Sequence, residues 1–370
     1  MIASSPWRQS LGLRQAGVFY ALLVLLGILA ALAASRGLPP YLAPSNLGNI
    51  AYQASLVGIM AVAMTVMLIT GAFDLSVASV AALAAAVLVG LAGKIGFVPA
   101  LGCALCTAAM IGIFNGVIVE LVGINAFIVT LGTLTAVRGL VLVVTDGRSL
   151  MVEDPQVLAQ MLAFESTRVP LFWALLVLGA VALGLATLRR AWGIALAGAA
   201  LLGLAAVVGR GFTVAAPVAY LIAFTAAAWF VMERTMMGRR LQAVGGNAEA
   251  ARLSGIDVRA YRIGAFVLSS LAAGFAGCLF GCRLGAINPT AMQGAELTVI
   301  AAAILGGTSL YGGAGSVIKT VAGALILFTL TNGFNILNLG ANYQGIIEGA
   351  VIIIAAAIYT LGNRKRGETR

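Results

Sequence analysis

Apolar runs of about twenty residues follow one another along almost the whole chain, and that recurrence limits the fold more than any motif does. A helix gains about 1.5 Å per residue, so a run of this length crosses the hydrocarbon core of a bilayer. Of the 370 residues, 9% are charged and 61% hydrophobic, where a soluble domain carries roughly 25% charged residues. The sequence predicts an all-α polytopic membrane protein, one transmembrane domain over 1–370 with about 10–12 transmembrane helices. The 46 glycines fit close helix approach and broken helices in lipid.

The expected spans are 16–34, 49–70, 75–92, 97–122, 126–145, 170–188, 193–208, 212–231, 263–282, 295–305, 316–337 and 343–361. The first is too long for the apolar region of a cleaved signal peptide and reads as a retained helix. Polar breaks too short to be loops interrupt the pattern at Gly71–Ser76 and at Gly306–Gly315, GGTSLYGGAG. The longest polar interval is Met232–Arg262, which carries Arg234, Arg239, Arg240, Arg252, Arg259 and Arg262. The positive-inside rule puts it in the cytoplasm, together with both termini. Within it Asn247–Leu253 reads as a short helix that Asn247 caps. Gly245-Gly246 precedes it and Gly255 closes it. It is either a docking surface for a soluble partner or a solvated connection. The acidic stretch 146–168 falls outside, with an amphipathic helix near Pro155–Phe164.

Asn115-Gly116, Gly123, Asn125 and Gly132 recur at identical spacing as Asn332-Gly333, Gly340, Asn342 and Gly349. The first set lies at an inside turn and the second at an outside turn, which makes the repeat inverted: 49–145 against 263–361, with 170–208 as an inserted hairpin and 233–262 as the cytoplasmic segment between them. Inverted repeats with broken helices mark transporters, with the pathway between the halves.

Four charges lie near membrane depth, where an ionised side chain needs a partner or a cavity. Asp74 precedes a helical run and Glu296 lies at the start of one, where a carboxylate caps the helix and meets its positive dipole end. Arg138 is expected to snorkel to the interface. Glu348, in mid-span, is expected to pair across a subunit interface or to face water. These four are the structural or gating candidates. Asn125, Thr130, Thr133, Thr329 and Asn332 are the candidates for a translocation path, since neutral amides and hydroxyls suit an uncharged, hydroxyl-rich solute. Thr hydroxyls in helices also bond their own backbone.

Other chemistries are missing. The net charge of +10 collects at span ends, where it meets lipid headgroups, and there is no aromatic-basic cluster for nucleic acid. No phosphate-loop signature occurs, so ATP has no such site on this chain. There is no histidine, hence no Ser/His/Asp or Cys/His set. Cys103, Cys106, Cys278 and Cys282 read as small core residues rather than a metal or redox site. No cofactor is expected on this chain.

Four segments carry a resemblance over roughly 46–360, the hairpin excepted: ITGAFDLSVASV (69–80), NAFIVTLGTLTAVRGL (125–140), GRRLQAVGGNAEAARLSGIDV (238–258) and INPTAMQGAELTVIAAAILGGTSLYGGAGSV (287–317). The chain resembles the permease subunits of bacterial ABC importers for ribose, xylose and galactose. That resemblance implies an inner-membrane homodimer with its pore on the two-fold axis. It also implies a cytoplasmic ATPase with two nucleotide-binding domains, which holds the ATP and Mg, and a periplasmic sugar-binding protein. It makes Gly246, Asn247, Glu249, Ala250, Ala251, Arg252 and Gly255 the residues of an ATPase-coupling helix. The chain departs from the family pattern at Ala72-Phe73 and Ala78, and at Glu348, where the family often has lysine. The hairpin is a xylose-type feature and makes D-xylose the first expected cargo, then ribose. Permeases for branched-chain amino acids or nucleosides are the alternative, and a self-sufficient secondary transporter a more distant one.

Overall fold

The structure is a computed structural model that describes residues 13–189 and 213–338, with short pieces inside 198–211 and 345–350. Among the described residues eight helices are long and apolar enough to cross a membrane. They are α1 (Leu13–Ser35), α2 (Pro44–Ile69), α3 (Val77–Ile95), α4 (Phe97–Val117), α5 (Ala126–Val144), α8 (Ala216–Arg234), α11 (Val258–Leu284) and α13 (Val317–Ile336). A π-helical turn, Ile118–Val122, continues α4. The other helices are α6 (Pro155–Ser166), α7 (Leu171–Arg189), α9 (Met236–Gly246), α10 (Ala248–Leu253) and α12 (Ala295–Leu305). Spans expected at 193–208 and 343–361 fall largely outside the described residues, and so does Glu348.

Mean hydropathy does not separate the centre from the rim, but burial does. The apolar window of α2 is 89% buried and that of α1 11%, so among the described residues α2 is a core helix and α1 a peripheral one. The centre is reciprocal. Helix α2 packs on α12 and α13, whereas α11 packs on α3 and α4, and α2 and α11 touch each other. Each half thus lends a helix to the other. Small residues make this possible: a methyl group on Gly277 of α11 would lie 1.9 Å from the Ala81 carbonyl oxygen of α3, and one on Gly323 of α13 would lie 2.2 Å from that of Ala302 in α12. In lipid, helix association depends on such close packing, because tails are as apolar as the side chains.

Connecting segments gather at two ends. At one end β1 (Leu150–Met151) pairs antiparallel with β4 (Ala286–Ile287), and β2 (Arg168–Pro170) with β3 (Thr213–Ala215). These two-residue and three-residue ladders are small additions to the all-α plan. There α6 lies across α11, as its amphipathic pattern required. Its Glu165, 2% exposed, accepts from Arg283 Nε at 2.8 Å and from the Tyr52 hydroxyl at 2.6 Å. The Arg283 guanidinium also stacks on the Tyr52 ring, 3.9 Å from its centroid. At the opposite, arginine-rich end, the last turn of α9 meets the end of α2 and the 306–315 loop, and α10 shares a hollow with the π-helical turn after α4.

Candidate functional site

The arginine-rich end is built around α10. Asn247 has extended backbone geometry, and its side-chain oxygen accepts the Ala250 amide at 3.0 Å, so it caps the helix. Past Ser254, Gly255 turns left-handed at φ 80°. Its amide donates to Arg252 and that of Ile256 to Ala251, which is a Schellman closure. Ala251, Ile256 and Val258 then pack on Val244 of α9. Helix α10 is therefore held from inside while Glu249, Ala250 and Arg252 face outward. Glu249 and Arg252 form an i,i+3 pair at 3.7 Å, each more than two-thirds exposed.

Gly245-Gly246 precedes α10 as expected, and it forms the last turn of α9, a helix within the polar interval. Crowding explains the glycine at 245, whereas a methyl group on Gly246 would meet nothing closer than 4.0 Å. A methyl group on Gly245 would lie 1.6 Å from the Ile69 carbonyl oxygen, and one on Gly313 would lie 2.9 Å from the Gly246 Cα. The Gly313 amide donates to the Ile69 carbonyl at 2.9 Å. Both polar breaks, after Ile69 and within 306–315, thus touch the residues directly before α10.

A second tie runs beside the first. Arg262, in the second turn of α11, pairs with Glu120 at 3.3 Å and donates to the Thr70 carbonyl at 3.3 Å. Glu120 sits in the π-helical turn with its side chain 7% exposed. Its position inside the apolar run IVELV hid it from sequence reasoning. Glu120, Arg252, Asp257, Arg259 and Arg262 line a polar hollow of about 300 Å³ under α10.

Asp74 lies deeper, about two turns further along α11. It is not the cap of α3, because Ser76 holds that position. Asp74 is fully buried. One carboxylate oxygen accepts the Ser76 amide at 3.0 Å and hydroxyl at 2.6 Å, and the other accepts the Ser269 hydroxyl at 2.7 Å. The Ser76 hydroxyl accepts from the Asn115 amide at 3.1 Å, and Asn115 accepts the Thr133 hydroxyl at 2.6 Å. One chain of hydrogen bonds thereby joins the α2–α3 break to α4, α5 and α11. Asn115, Ser269 and Ser76 were not singled out in the sequence; only Asn115 carried a signal, as a member of the repeat.

The other site candidates are placed as follows. Asn125 is exposed and caps α5 through the Phe127 amide. Thr130 is buried and donates to the Ala126 carbonyl of its own helix. Thr329 is buried, and its carbonyl accepts the Tyr41 hydroxyl at 2.9 Å. Burial pushes the Tyr41 phenol up to about 12, so it stays a donor at physiological pH. Asn332 donates to Asn46 at 3.0 Å. Arg138 does not snorkel: it turns into the protein and donates to the Ala291 carbonyl at 2.8 Å. Glu296 lies in the first turn of α12, as expected, but makes no cap hydrogen bond; Gly294 takes the cap position without a side-chain bond. It lies within electrostatic reach of Arg138 instead. The structure brings Thr133 to Asp74 through Asn115, and Arg138 towards Glu296, but it leaves Asn125 apart from both groups.

Residues 46–356 match the family described as the permease component of the branched-chain amino acid transport system. The chain belongs to this permease family. The ribose import permease of Escherichia coli (strain K12) is 36% identical over 339 residues, 91% of each chain. That of Bacillus subtilis (strain 168) is 33% identical over 351 residues, 94% of this chain and 92% of the relative. The xylose transport system permease of Escherichia coli (strain K12) is 33% identical over 339 residues, 85% of this chain and 84% of the relative. No solved structure matches. The permease is a transport component and not an enzyme. Among the described residues no three His, Cys, Asp or Glu side chains are grouped to hold a metal ion.

Proposed function

We propose that this permease is the membrane subunit of an ABC importer that carries a monosaccharide across the bacterial inner membrane, with both termini in the cytoplasm. The observation that carries the reading is the position of α10: rigidly capped, exposed on its charged face, and one residue from backbone contacts to both helix breaks. A cytoplasmic ATPase with two nucleotide-binding domains binds α10, through Gly246, Asn247, Glu249, Ala250, Ala251, Arg252 and Gly255. Leu253 on α10 and Tyr311 at the tip of the 306–315 loop, 82% and 90% exposed, extend that docking face. A second copy of the permease completes the pore, and a periplasmic binding protein delivers the sugar. ATP and Mg stay on the ATPase.

The monosaccharide class rests on relatives named for ribose, allose and xylose. Those names favour a sugar over a branched-chain amino acid, although the family description mentions the latter. Within the class, the hairpin at 170–208 is the ground for D-xylose as first cargo. Identities of 36% to a ribose permease and 33% to a xylose permease do not separate the two sugars.

Purification from the native membrane in mild detergent is expected to bring down an ATPase in stoichiometric amount and a dimer of the permease. Uptake of labelled sugar is expected to be competed by unlabelled xylose or ribose and not by leucine or uridine. A permease that purifies without an ATPase and moves solute alone in liposomes would overturn the importer reading. Competition by leucine alone would overturn the sugar reading and leave the importer standing.

A further inference from the structure

An apolar groove of about 670 Å³ opens between α8 and α11, with Val66 of α2 as its floor and α9 across its arginine-rich end. Its walls include Phe224, Val231, Met232, Met237, Leu241 and Leu268. On α11 the lining runs from Ala260 and Tyr261 to Leu271, about 15 Å at a helical rise. That is half of the roughly 30 Å hydrocarbon core, the depth of one leaflet. Its size falls within the roughly 300–1,000 Å³ of small-molecule sites. The opening is not sealed: Ala227, Ala260 and Gly264 on its rim are exposed.

At the closed end the lining is Met237, Leu241 and Tyr261, and arginines flank it. Helix α9 is amphipathic, with Leu241 and Val244 buried and Arg239 and Arg240 exposed, as in a helix lying in the headgroup plane. Arg240 donates to the hydroxyl of Tyr261, itself part of the groove wall, at 3.1 Å. Arg234 ends α8 one turn beyond Val231. An apolar slot one leaflet deep, open to the side and closed by arginines at headgroup level, has the chemistry of an anionic lipid site.

We propose that this groove binds an anionic phospholipid from the leaflet at the arginine-rich end. One acyl chain lies between α8 and α11, and the phosphate is held by Arg240 and Arg234. The α8–α9 corner and the start of α11 bracket α10, so the lipid props the frame that holds it.

The test uses the full permease in nanodiscs of defined composition, followed by detergent exchange and native mass spectrometry. Phosphatidylglycerol is expected to remain bound, and phosphatidylcholine to be lost. R234Q/R240Q is expected to weaken phosphatidylglycerol retention about thirty-fold, from two cationic contacts at a membrane surface. G264L, which adds a side chain at a position with nothing within 4 Å, narrows the mouth of the slot and is expected to lose phosphatidylglycerol with the arginines intact. Circular dichroism on both variants checks that they are folded. Equal retention of the two lipids by the wild type, or full retention of phosphatidylglycerol by a folded G264L, would overturn the proposal.

Discussion

The amide of Gly313 donates to the carbonyl of Ile69 at 2.9 Å, joining the 306–315 loop to the end of α2, far apart in the sequence. Gly245 lies against the same carbonyl, so closely that a methyl group there would fall 1.6 Å from its oxygen. Three backbones therefore share one acceptor site: the end of α2, the 306–315 loop and the last turn of α9. A displacement of α9 and α10 has to move Ile69 or break the junction, since glycine leaves no flexible side chain between them. This is the mechanical reason for reading the arginine-rich end as a transmission point rather than a surface loop.

G245A is expected to lower thermal stability by about 2 kcal/mol, the usual cost of overpacking where backbone must give way. It is also expected to reduce uptake more than its stability loss explains. G132A supplies the control: Gly132 is helical with nothing within 4 Å of an added methyl, so alanine there is expected to be neutral or stabilising by about 0.5–1 kcal/mol. Thermal unfolding in detergent, beside transport per folded molecule, separates the two effects. Equal behaviour of G245A and G132A would show that the junction opens freely.

At the other end, Glu165 and Arg283 form a pair in which Glu165 is almost completely buried and also receives Tyr52. Removing one partner leaves the other charge uncompensated, which costs about 3–5 kcal/mol in buried pairs. Arg283 retains 22% exposure, so solvent screening places E165A at or below the low end of that range. E165Q keeps an acceptor for Tyr52 and is expected to lose less than E165A. A melting temperature for E165A within a degree of wild type would mean that α6 is not anchored by this pair.

Hydropathy carried the fold. Twenty-residue apolar runs have few alternatives, and their ends were found to within a few residues because polar breaks and glycines punctuate them. The cap of α10 was equally legible, since Asn247 and Gly255 are local signals that need no tertiary context. What was not legible depends on distant partners. The reason for glycine at 245 shows only once Ile69 and Gly313 are placed beside it. Glu120 is one carboxylate inside an apolar run, and only the fold puts Arg262 opposite. Glu165 and Arg283 are 118 residues apart. Arg138 reads as a residue that reaches the interface alone, whereas the structure sets it against the distant Ala291 carbonyl.

The hydrogen-bond chain from Thr133 through Asn115 and Ser76 to Asp74 makes a separate prediction. T133V keeps the shape of the side chain but leaves the buried Asn115 oxygen without its donor. An unmet buried acceptor costs about 1–3 kcal/mol, so T133V is expected to unfold earlier, and T133S, which restores the hydroxyl, to recover most of the loss. If valine and serine behave alike, the chain contributes no stability and Asp74 is held by Ser76 and Ser269 alone.

Glu249 and Arg252 give the sharpest test of α10 because they do so little for the fold. Their pair is 3.7 Å long with both side chains more than two-thirds exposed, and ion pairs of that kind contribute little to stability. The cap from Asn247 and the Schellman closure at Gly255 do not use either side chain. E249A/R252A is therefore expected to fold, reach the membrane and melt like the wild type. If α10 is where the ATPase docks, the same variant loses the partner on purification and loses sugar uptake at least tenfold. N247A makes the complementary case: it removes the cap, frays α10 and is expected to weaken docking while both charges remain. Uptake at the wild-type rate in E249A/R252A, with the ATPase still bound, would move the docking surface away from α10 and towards Tyr311 and the polar hollow around Glu120.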